Sequence, residues 1–305
     1  MVSPRLDAGG GPPARLYAQA FHRAIDLYAT VAGAAIAKGA LQIETAPRDA
    51  RRFDAIAASE LFAPGAVVRL DRDAASARLG EPAAAGGLWQ AEAPVIEPAV
   101  VLGAWLGEVE AFKVDRIVRQ DGEWRLYAGE ALAARADIVC LAAGPAITAL
   151  APELKLQPIR GQASFLDTAE RPTSAAWGGY IASTREGLLF GATHDRDDAG
   201  DEIRAEDNRR NLADLAQARP ALAAALADRT LSARAGVRAA ARDLLPIAGA
   251  APGGPGLFAL GGFGGRGFCL APLLAEHVAA LALGHASPLP GDLGALIDPM
   301  RLVSR

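Results

Sequence analysis

Cysteine is nearly absent: Cys140 and Cys269 lie far apart, each inside an apolar run. That argues against a disulfide framework and for two reduced core thiols in a cytoplasmic protein. No pair of histidines or cysteines has the spacing of a zinc site, so no metal is expected. No stretch is apolar for long enough to cross a bilayer. The opening MVSPRLDAGGGPP has neither the charged start nor the apolar run of a signal peptide. An excess of positive charge is lacking too. The net charge is −4, which offers no global attraction for nucleic acid, so any such binding must come from a local patch. G-x-S-x-G, the P-loop and H-E-x-x-H are missing, which leaves hydrolase and kinase readings without support. There is no internal repeat.

What is present has an ordinary globular composition, 51% hydrophobic and 22% charged, in 305 residues. That is enough chain for one large domain or two interleaved ones. Pro12 and Pro13 precede a stretch in which Leu16, Ala20, Ala24, Leu27 and Val31 recur at three- and four-residue steps. The pattern predicts a helix with proline in its first turn. Gly33 and Gly39 break it before a strand at LQIET. Residues 48–63 read as helical, AVVRLD as a strand and AASARLG as helical, and a helix is expected from Pro98 to Leu106. KVDRIVRQDGEWRLYA predicts a β-hairpin that starts at Val114 and turns at Asp121-Gly122. ADIVCLAAGP reads as a buried parallel strand ending in a turn at Gly144. From Pro158 the texture becomes that of an antiparallel sheet: PIRGQASFLD, AWGGYIAST and GLLFGATHD. Two helices broken at Pro220 follow, then a return to strand in ARAGVRAAARDLLPIAGA.

The strongest feature is LFALGGFGGRGFCLAPLLAEHVAALALG: an apolar run, a glycine knot and an amphipathic helix. Gly262, Gly264 and Gly267 satisfy the G-x-G-x-x-G spacing of a backbone turning under a phosphate or a flat cofactor. The tail HASPLPGDLG supplies no second strand ending in an acid, so these glycines close a cofactor fold rather than open one. Arginines are the candidates for substrate chemistry. Arg238 lies in an apolar strand, where an unpaired charge is costly, so it holds either a side-chain carboxylate or a substrate anion. Arg266 sits inside the knot, either reaching a ligand or solvated, and Arg160 in PIRGQ is a third candidate. Tyr180 covers a pocket or is core. The cluster His194, Asp195, Asp197 and Asp198 reads as a solvated turn, and His22 and His277 as surface or boundary residues of helices.

Together the DIVCLAAG strand, PIRGQ, GVRAAARDLLPIAG and GLFALGGFGGRGFCLAPLLAEHVA resemble the D-amino-acid-oxidase-like flavoprotein superfamily. More narrowly, SPRLDAGGGPPARLYAQAFHRAIDLY, LWQAEAPVIEPA, GGYIASTREGLLFGATHDRDD and DPMRLVSR are similar to the FAD-dependent oxidoreductase half of the bifunctional tRNA 5-methylaminomethyl-2-thiouridine biosynthesis enzymes. The resemblance covers nearly the whole chain. It implies a mixed α/β fold: a Rossmann-like FAD-binding domain over 1–64, 95–156 and 240–305, interleaved with an antiparallel-sheet substrate domain over 65–94 and 157–239. It implies FAD as cofactor, with Gly262, Gly264, Gly265, Arg266 and Gly267 facing the flavin and Val114 and Gly144 on its adenosine side. Arg238, Arg266 and Tyr180 become the catalytic candidates.

The implied substrate is a tRNA wobble uridine bearing a carboxymethylaminomethyl group, whose carboxylate Arg238 would grip. Hydride transfer to FAD and hydrolysis of the imine would release glyoxylate and leave a methylaminomethyl group. A glycine- or sarcosine-type oxidase of small amines and a non-catalytic remnant stay open as alternatives. Members of the superfamily begin with a strand, a G-x-G-x-x-G turn, a helix and a strand ending in an acid. This sequence matches from a point beyond that unit. The expectation is therefore a truncated FAD domain without its pyrophosphate cradle, holding little flavin alone and exposing apolar surface where the first strand would lie. A missing N-terminal segment or a fused methyltransferase domain is the implied partner.

Overall fold

The computed structural model describes residues 1–303. Its first part comprises α1 (Pro12–Ala29), β1 (Ala35–Ile43), α2 (Pro47–Ala57), β2 (Val67–Leu70), α3 (Arg72–Leu79), β3 (Gly87–Ile96) and α4 (Pro98–Trp105). Then come β4 (Arg116–Gln120), β5 (Glu123–Ala128), β6 (Ala131–Ala136), β7 (Val139–Leu141), α5 (Ile147–Leu150), β8 (Gln157–Asp167), β9 (Ser174–Ala176), β10 (Tyr180–Ser183), β11 (Gly187–Gly191) and β12 (Asp195–Arg196). The last part holds α6 (Ala205–Ala218), α7 (Pro220–Leu226), β13 (Ser232–Ala240), β14 (Ile247–Ala250), β15 (Leu257–Gly261), α8 (Gly267–Ala282) and α9 (Gly291–Ile297).

Local chemistry explains most boundaries. Proline stands in the first turn of α1, α2, α4 and α7, where its missing amide is not needed. Asp71 caps α3 by accepting from the Ala74 amide at 2.8 Å, and Gly80 closes it with φ of 73°. Asp121 and Gly122 both take positive φ, the geometry of a two-residue turn joining β4 to β5. Among the departures from the sequence reading, α2 ends at Ala57 rather than at residue 63, and two others are instructive. Strand β1 starts at Ala35 rather than Leu41, because Gly39 is a bulge and not a break. The register against β3 shifts there, and a Cβ on Gly39 would stand 2.5 Å from Cη2 of Trp89. Strand β6 was not anticipated; its alanine-rich residues carry no β-branched signal.

Nine strands make one sheet. β8 pairs with β13 on one side and with β11 and then β12 on the other, and the sheet continues through β10, β9, β1 and β3 to β2. β1 lies in the 1–64 segment assigned to the cofactor half, so the boundary at 64 does not separate the two sheets. The second sheet is β7–β15–β14, with β7 and β15 parallel. The β4–β5–β6 meander packs Trp124, Leu126 and Ile117 over one of its faces, against Val139, Leu141 and Leu257. α1, α8 and α9 cover the other around Leu16, Phe21, Leu270 and Leu274. α6 and α7 cover one face of the large sheet, where Leu215 and Leu226 meet Ile181, Leu188 and Phe190. Each fully buried side chain of this kind contributes about 1.5–3 kcal/mol.

Among the described residues β7 has a neighbour only in β15, and Ile138 and Cys140 are exposed beside it. Val139 and Leu141 point under the meander, which turns Cys140 to the other face. The expectation of two core thiols is therefore corrected. Cys269 in α8 is buried, and burial pushes its thiol up to about 12, but Cys140 is not a core residue.

Candidate active site at the glycine bend

Between the last residue of β15 and the first of α8, the chain must reverse within a few residues. Gly262 and Gly264 take φ of 67° and 52°, values that side chains rarely adopt. Nothing lies within 4 Å of where a Cβ on Gly264 or Gly265 would stand, so the bend presents bare backbone to open space beside the amino end of α8. Gly267, the first residue of that helix, would meet only Phe263. Two backbone contacts fix β13 against this bend. The Gly264 amide donates to the Ala239 carbonyl at 3.0 Å, and Ala240 bridges Phe263. Arg238 is thus one residue along the strand from the bend.

Alternation along β8 and β13 sorts the arginines. Arg160 points under α6 and is fully buried. It donates to Asp207 at 2.5 Å, to the Glu202 carbonyl at 2.5 Å and to Gln162 Oε1 at 3.2 Å. Arg160 is therefore a structural cation, on the wrong face to meet a substrate. Asp195 pairs with Arg210 at 2.8 Å and Asp198 with Arg204 at 2.7 Å. The cluster around His194 is a solvated turn, with His194 and Asp197 exposed, in which two of the three acids are tied down by ion pairs. His277 is buried, with Nδ1 at 2.7 Å from Ser287 Oγ, and is not a surface residue.

The cross-strand neighbours face the other way. Arg238 and Arg196 flank Ile159, Gly236 lies opposite Gly161, and Arg234 lies opposite Ala163 in a row continued by Gly191 and Tyr180. The floor of this face is glycine and alanine, and Arg238 lies across it. A Cβ on Gly161 would stand 2.6 Å from Cζ of Arg238, whereas the space over Gly236 is empty to 4 Å. Among the described residues half-buried Arg238 has neither an acid nor a hydrogen-bond partner. No structural ion pair occupies it, which leaves its guanidinium available to an external anion. Burial pushes the Tyr180 phenol up, with Arg238 pulling partly the other way. Burial lowers His194, and the positive charges of Arg238 and Arg196 lower it further. These four side chains share one electrostatic environment.

Arg266 goes elsewhere. Its Nη1 donates to the carbonyls of Ser3 and Pro4 at 3.0 and 2.9 Å, and burial lowers its pKa. Ser3 in turn donates to Gln90 Oε1 at 3.2 Å. Arg266 is not a solvated loop residue; it ties the segment before α1 to the bend. No sequence signal marks Ser3, Pro4 or Gln90, because carbonyl acceptors carry no motif. Gly144 follows β7 with φ of 56° and open space at its Cβ position. It and the bend sit at the carboxyl ends of adjacent parallel strands, where ligands bind in sheets of this type. Val114 precedes the first residue of β4, Arg116, so the hairpin starts later than expected.

A family model described as DAO, FAD dependent oxidoreductase, matches residues 2–281. The chain belongs to that family. It is 55% identical over 308 residues to the tRNA 5-methylaminomethyl-2-thiouridine biosynthesis bifunctional protein MnmC of Caulobacter sp. strain K31, a match covering 100% of this chain and 51% of that protein. The chain therefore spans about half the length of the curated relatives it matches. Among solved structures, L-proline dehydrogenase from P. horikoshii superposes with a TM-score of 0.79 at 16% identity, over 99% of this chain and 86% of that one. Glycine oxidase from Geobacillus kaustophilus gives 0.75 at 20% identity, over 95% and 85%. These likenesses show a shared mixed α/β fold.

FAD is the cofactor of this family, and the residues at the bend fit its ring end: bare backbone at Gly264 and Gly265, with a 16-residue helix starting beside it, while Gly262 packs inward against Ile247 and Leu156. For the pyrophosphate, no second glycine-rich strand–turn–helix unit, besides β15, the bend and α8, joins the β7–β15–β14 sheet among the described residues. Among the same residues no helix is long and apolar enough to cross a membrane.

Proposed function

We propose that this chain is an FAD-dependent amine oxidoreductase acting on a secondary amine that bears a carboxymethyl group, namely 5-carboxymethylaminomethyl-(2-thio)uridine in tRNA. The observation that supports it is Arg238, unpartnered, half-buried and one residue from the glycine bend. The tRNA nucleoside is supported by 55% identity to a relative named for 5-methylaminomethyl-2-thiouridine biosynthesis. In this reading the small sheet with α1 and α8 is the cofactor half and the large sheet the substrate half.

FAD, when bound, supplies the hydride acceptor. The protein's part is to bind and orient. Arg238 pairs with the substrate carboxylate, bidentately where its fork allows. The glycine floor leaves room for the methylene and nitrogen to lie close to the sheet. Tyr180, kept protonated by burial, donates to the same carboxylate. The C–H bond of the carboxymethyl carbon breaks as a hydride, the amine loses its proton, and a C=N bond forms. Water adds, the C–N bond breaks, and glyoxylate leaves. The nitrogen stays on the uridine as a primary amine. That balance corrects the product expected above: it is an aminomethyl group, and a methylaminomethyl group needs a separate methyl transfer. A relative twice this length and named bifunctional has room for that second step.

The experiment is incubation of FAD-loaded protein with tRNA carrying the carboxymethylaminomethyl group, followed by mass analysis of nucleosides and trapping of glyoxylate. Conversion to the aminomethyl nucleoside is expected, and an unchanged nucleoside at full FAD loading would sink the reading. A second reading, oxidation of glycine or sarcosine, is favoured by the same Arg238, since it grips any amino-acid carboxylate; the two substrates assayed in parallel separate them.

A further inference from the structure

We infer that the open face of the large sheet around Arg238 is a docking surface for an RNA phosphate backbone, with Arg196 and Arg234 as its phosphate contacts. The inference deepens the tRNA reading and rests on it. The two faces of β8 and its neighbours treat arginine oppositely. Beneath α6, Arg160, Arg204 and Arg210 are all paired with carboxylates. On the open face Arg196, Arg234 and Arg238 have no ion pair and no side-chain hydrogen bond among the described residues. Acids near Arg196 in sequence do not neutralise it. Asp195 and Asp198 are held by Arg210 and Arg204, and Asp197, exposed in a left-handed turn, bonds none of the three.

Spacing then decides what fits. Arg234 and Arg238 are four residues apart on one strand, so their backbones lie about 13 Å apart. Arg196 and Arg238 stand on either side of β8, about 9.5 Å apart. A free amino acid held by Arg238 offers one carboxylate and no second anion at either distance. A nucleotide within a chain offers phosphates on both sides of its base, and arginine forks suit phosphate oxygens. On a protein of net charge −4, a surface of three unneutralised arginines is the local patch that RNA binding requires.

The test is fluorescence anisotropy of a labelled, unmodified anticodon stem-loop RNA titrated with the 305-residue chain over a salt series. Arg196→Gln and Arg234→Gln should each weaken binding about five-fold and lower the slope of log affinity against log salt by about one. Arg234→Lys should keep the slope, and Arg209→Gln on the outer side of α6 should leave affinity and slope unchanged. All variants should melt with the wild type. If the Arg196→Gln/Arg234→Gln protein binds RNA with wild-type affinity and slope, the phosphates are held elsewhere and the surface is wrong, while the tRNA reading stands. If wild-type chain binds no RNA at low salt yet oxidises a free carboxymethyl amine, the tRNA reading fails and takes the surface with it.

Discussion

The guanidinium of Arg238 rests on the backbone of Gly161, a residue of the neighbouring strand with no side chain to push it away. A Cβ there would stand 2.6 Å from Cζ of Arg238, which is closer than any methyl tolerates. The arginine therefore lies flat across the sheet, toward the hollow over Gly236, instead of extending into solvent.

That contact makes Gly161→Ala the sharpest test of the site. Its backbone has an ordinary φ, so alanine strains nothing locally, and the change acts by lifting the guanidinium. A displacement of about 1 Å at a positioning group costs on the order of 10²-fold in rate. We expect kcat/KM for a carboxymethyl amine to fall by about that factor with little change in Tm. Gly236→Ala, placed over open space, should instead raise KM by crowding the substrate. Wild-type kinetics in Gly161→Ala would show that Arg238 does not hold the carboxylate where it now lies.

His194 reports the charge in the hollow. Burial, Arg238 and Arg196 hold its imidazole below the ordinary histidine value. Each removal of positive charge must move it up. Arg238→Ala should raise the His194 pKa, and so should a bound carboxylate such as glycolate, which offsets the guanidinium. The chain has four histidines, so proton NMR with His194→Gln for assignment can follow one resonance. A depressed folded-state value also means that the unfolded chain takes the proton more readily, so stability falls slightly as pH drops below the ordinary histidine range. No movement of His194 in Arg238→Ala would separate the two side chains.

Beneath the sheet the charges are structural. Asp207→Ala leaves fully buried Arg160 without its hydrogen-bonded carboxylate, with only Asp195 at 3.8 Å remaining, and losing one partner of a buried pair costs about 3–5 kcal/mol. Glu206→Ala breaks an exposed pair with Arg209, which contributes at most about 1 kcal/mol. Urea denaturation should rank the two in that order. Comparable losses would mean that the face under α6 is wetter than its burial indicates.

Much of this was legible in the sequence, and the failures have physical causes. Helix starts at Pro12 and Pro98 were readable because proline acts within a single turn, whereas Asp71, read as the end of a strand, is the cap of α3. The turn at Asp121-Gly122 was readable for the same reason. Gly39 was misread because a bulge depends on Trp89, which is distant in sequence. Arg160 and Arg238 could not be told apart, since both stand in apolar strands. Only the pairing of β8 with β13 reveals that one lies under α6 and the other over the glycine floor. The glycine bend was visible as composition, but its closeness to Arg238 is a long-range hydrogen bond from Gly264 to Ala239.

Arg266 stands in the bend yet donates to Ser3 and Pro4, and the two possible roles of such a residue make opposite demands. A tether must satisfy carbonyls that would otherwise be buried without donors, at about 1–3 kcal/mol for each one left bare. A carboxylate ligand must be free to turn toward substrate. Arg266→Met keeps the volume and removes every donor. If the tether governs, amide hydrogen exchange in residues 2–6 should rise and Tm should fall, while the affinity for a small carboxylate at Arg238 stays within about two-fold, as for uncoupled sites. Arg266→Lys, able to reach one carbonyl, should recover part of the protection. If Arg266 instead leaves its carbonyls when substrate arrives, exchange in Arg266→Met would match the wild type and carboxylate affinity would drop by ten-fold or more, which is about 1.4 kcal/mol. Since Arg266 already donates to two carbonyls while Arg238 has no partner among the described residues, the first outcome is the one expected.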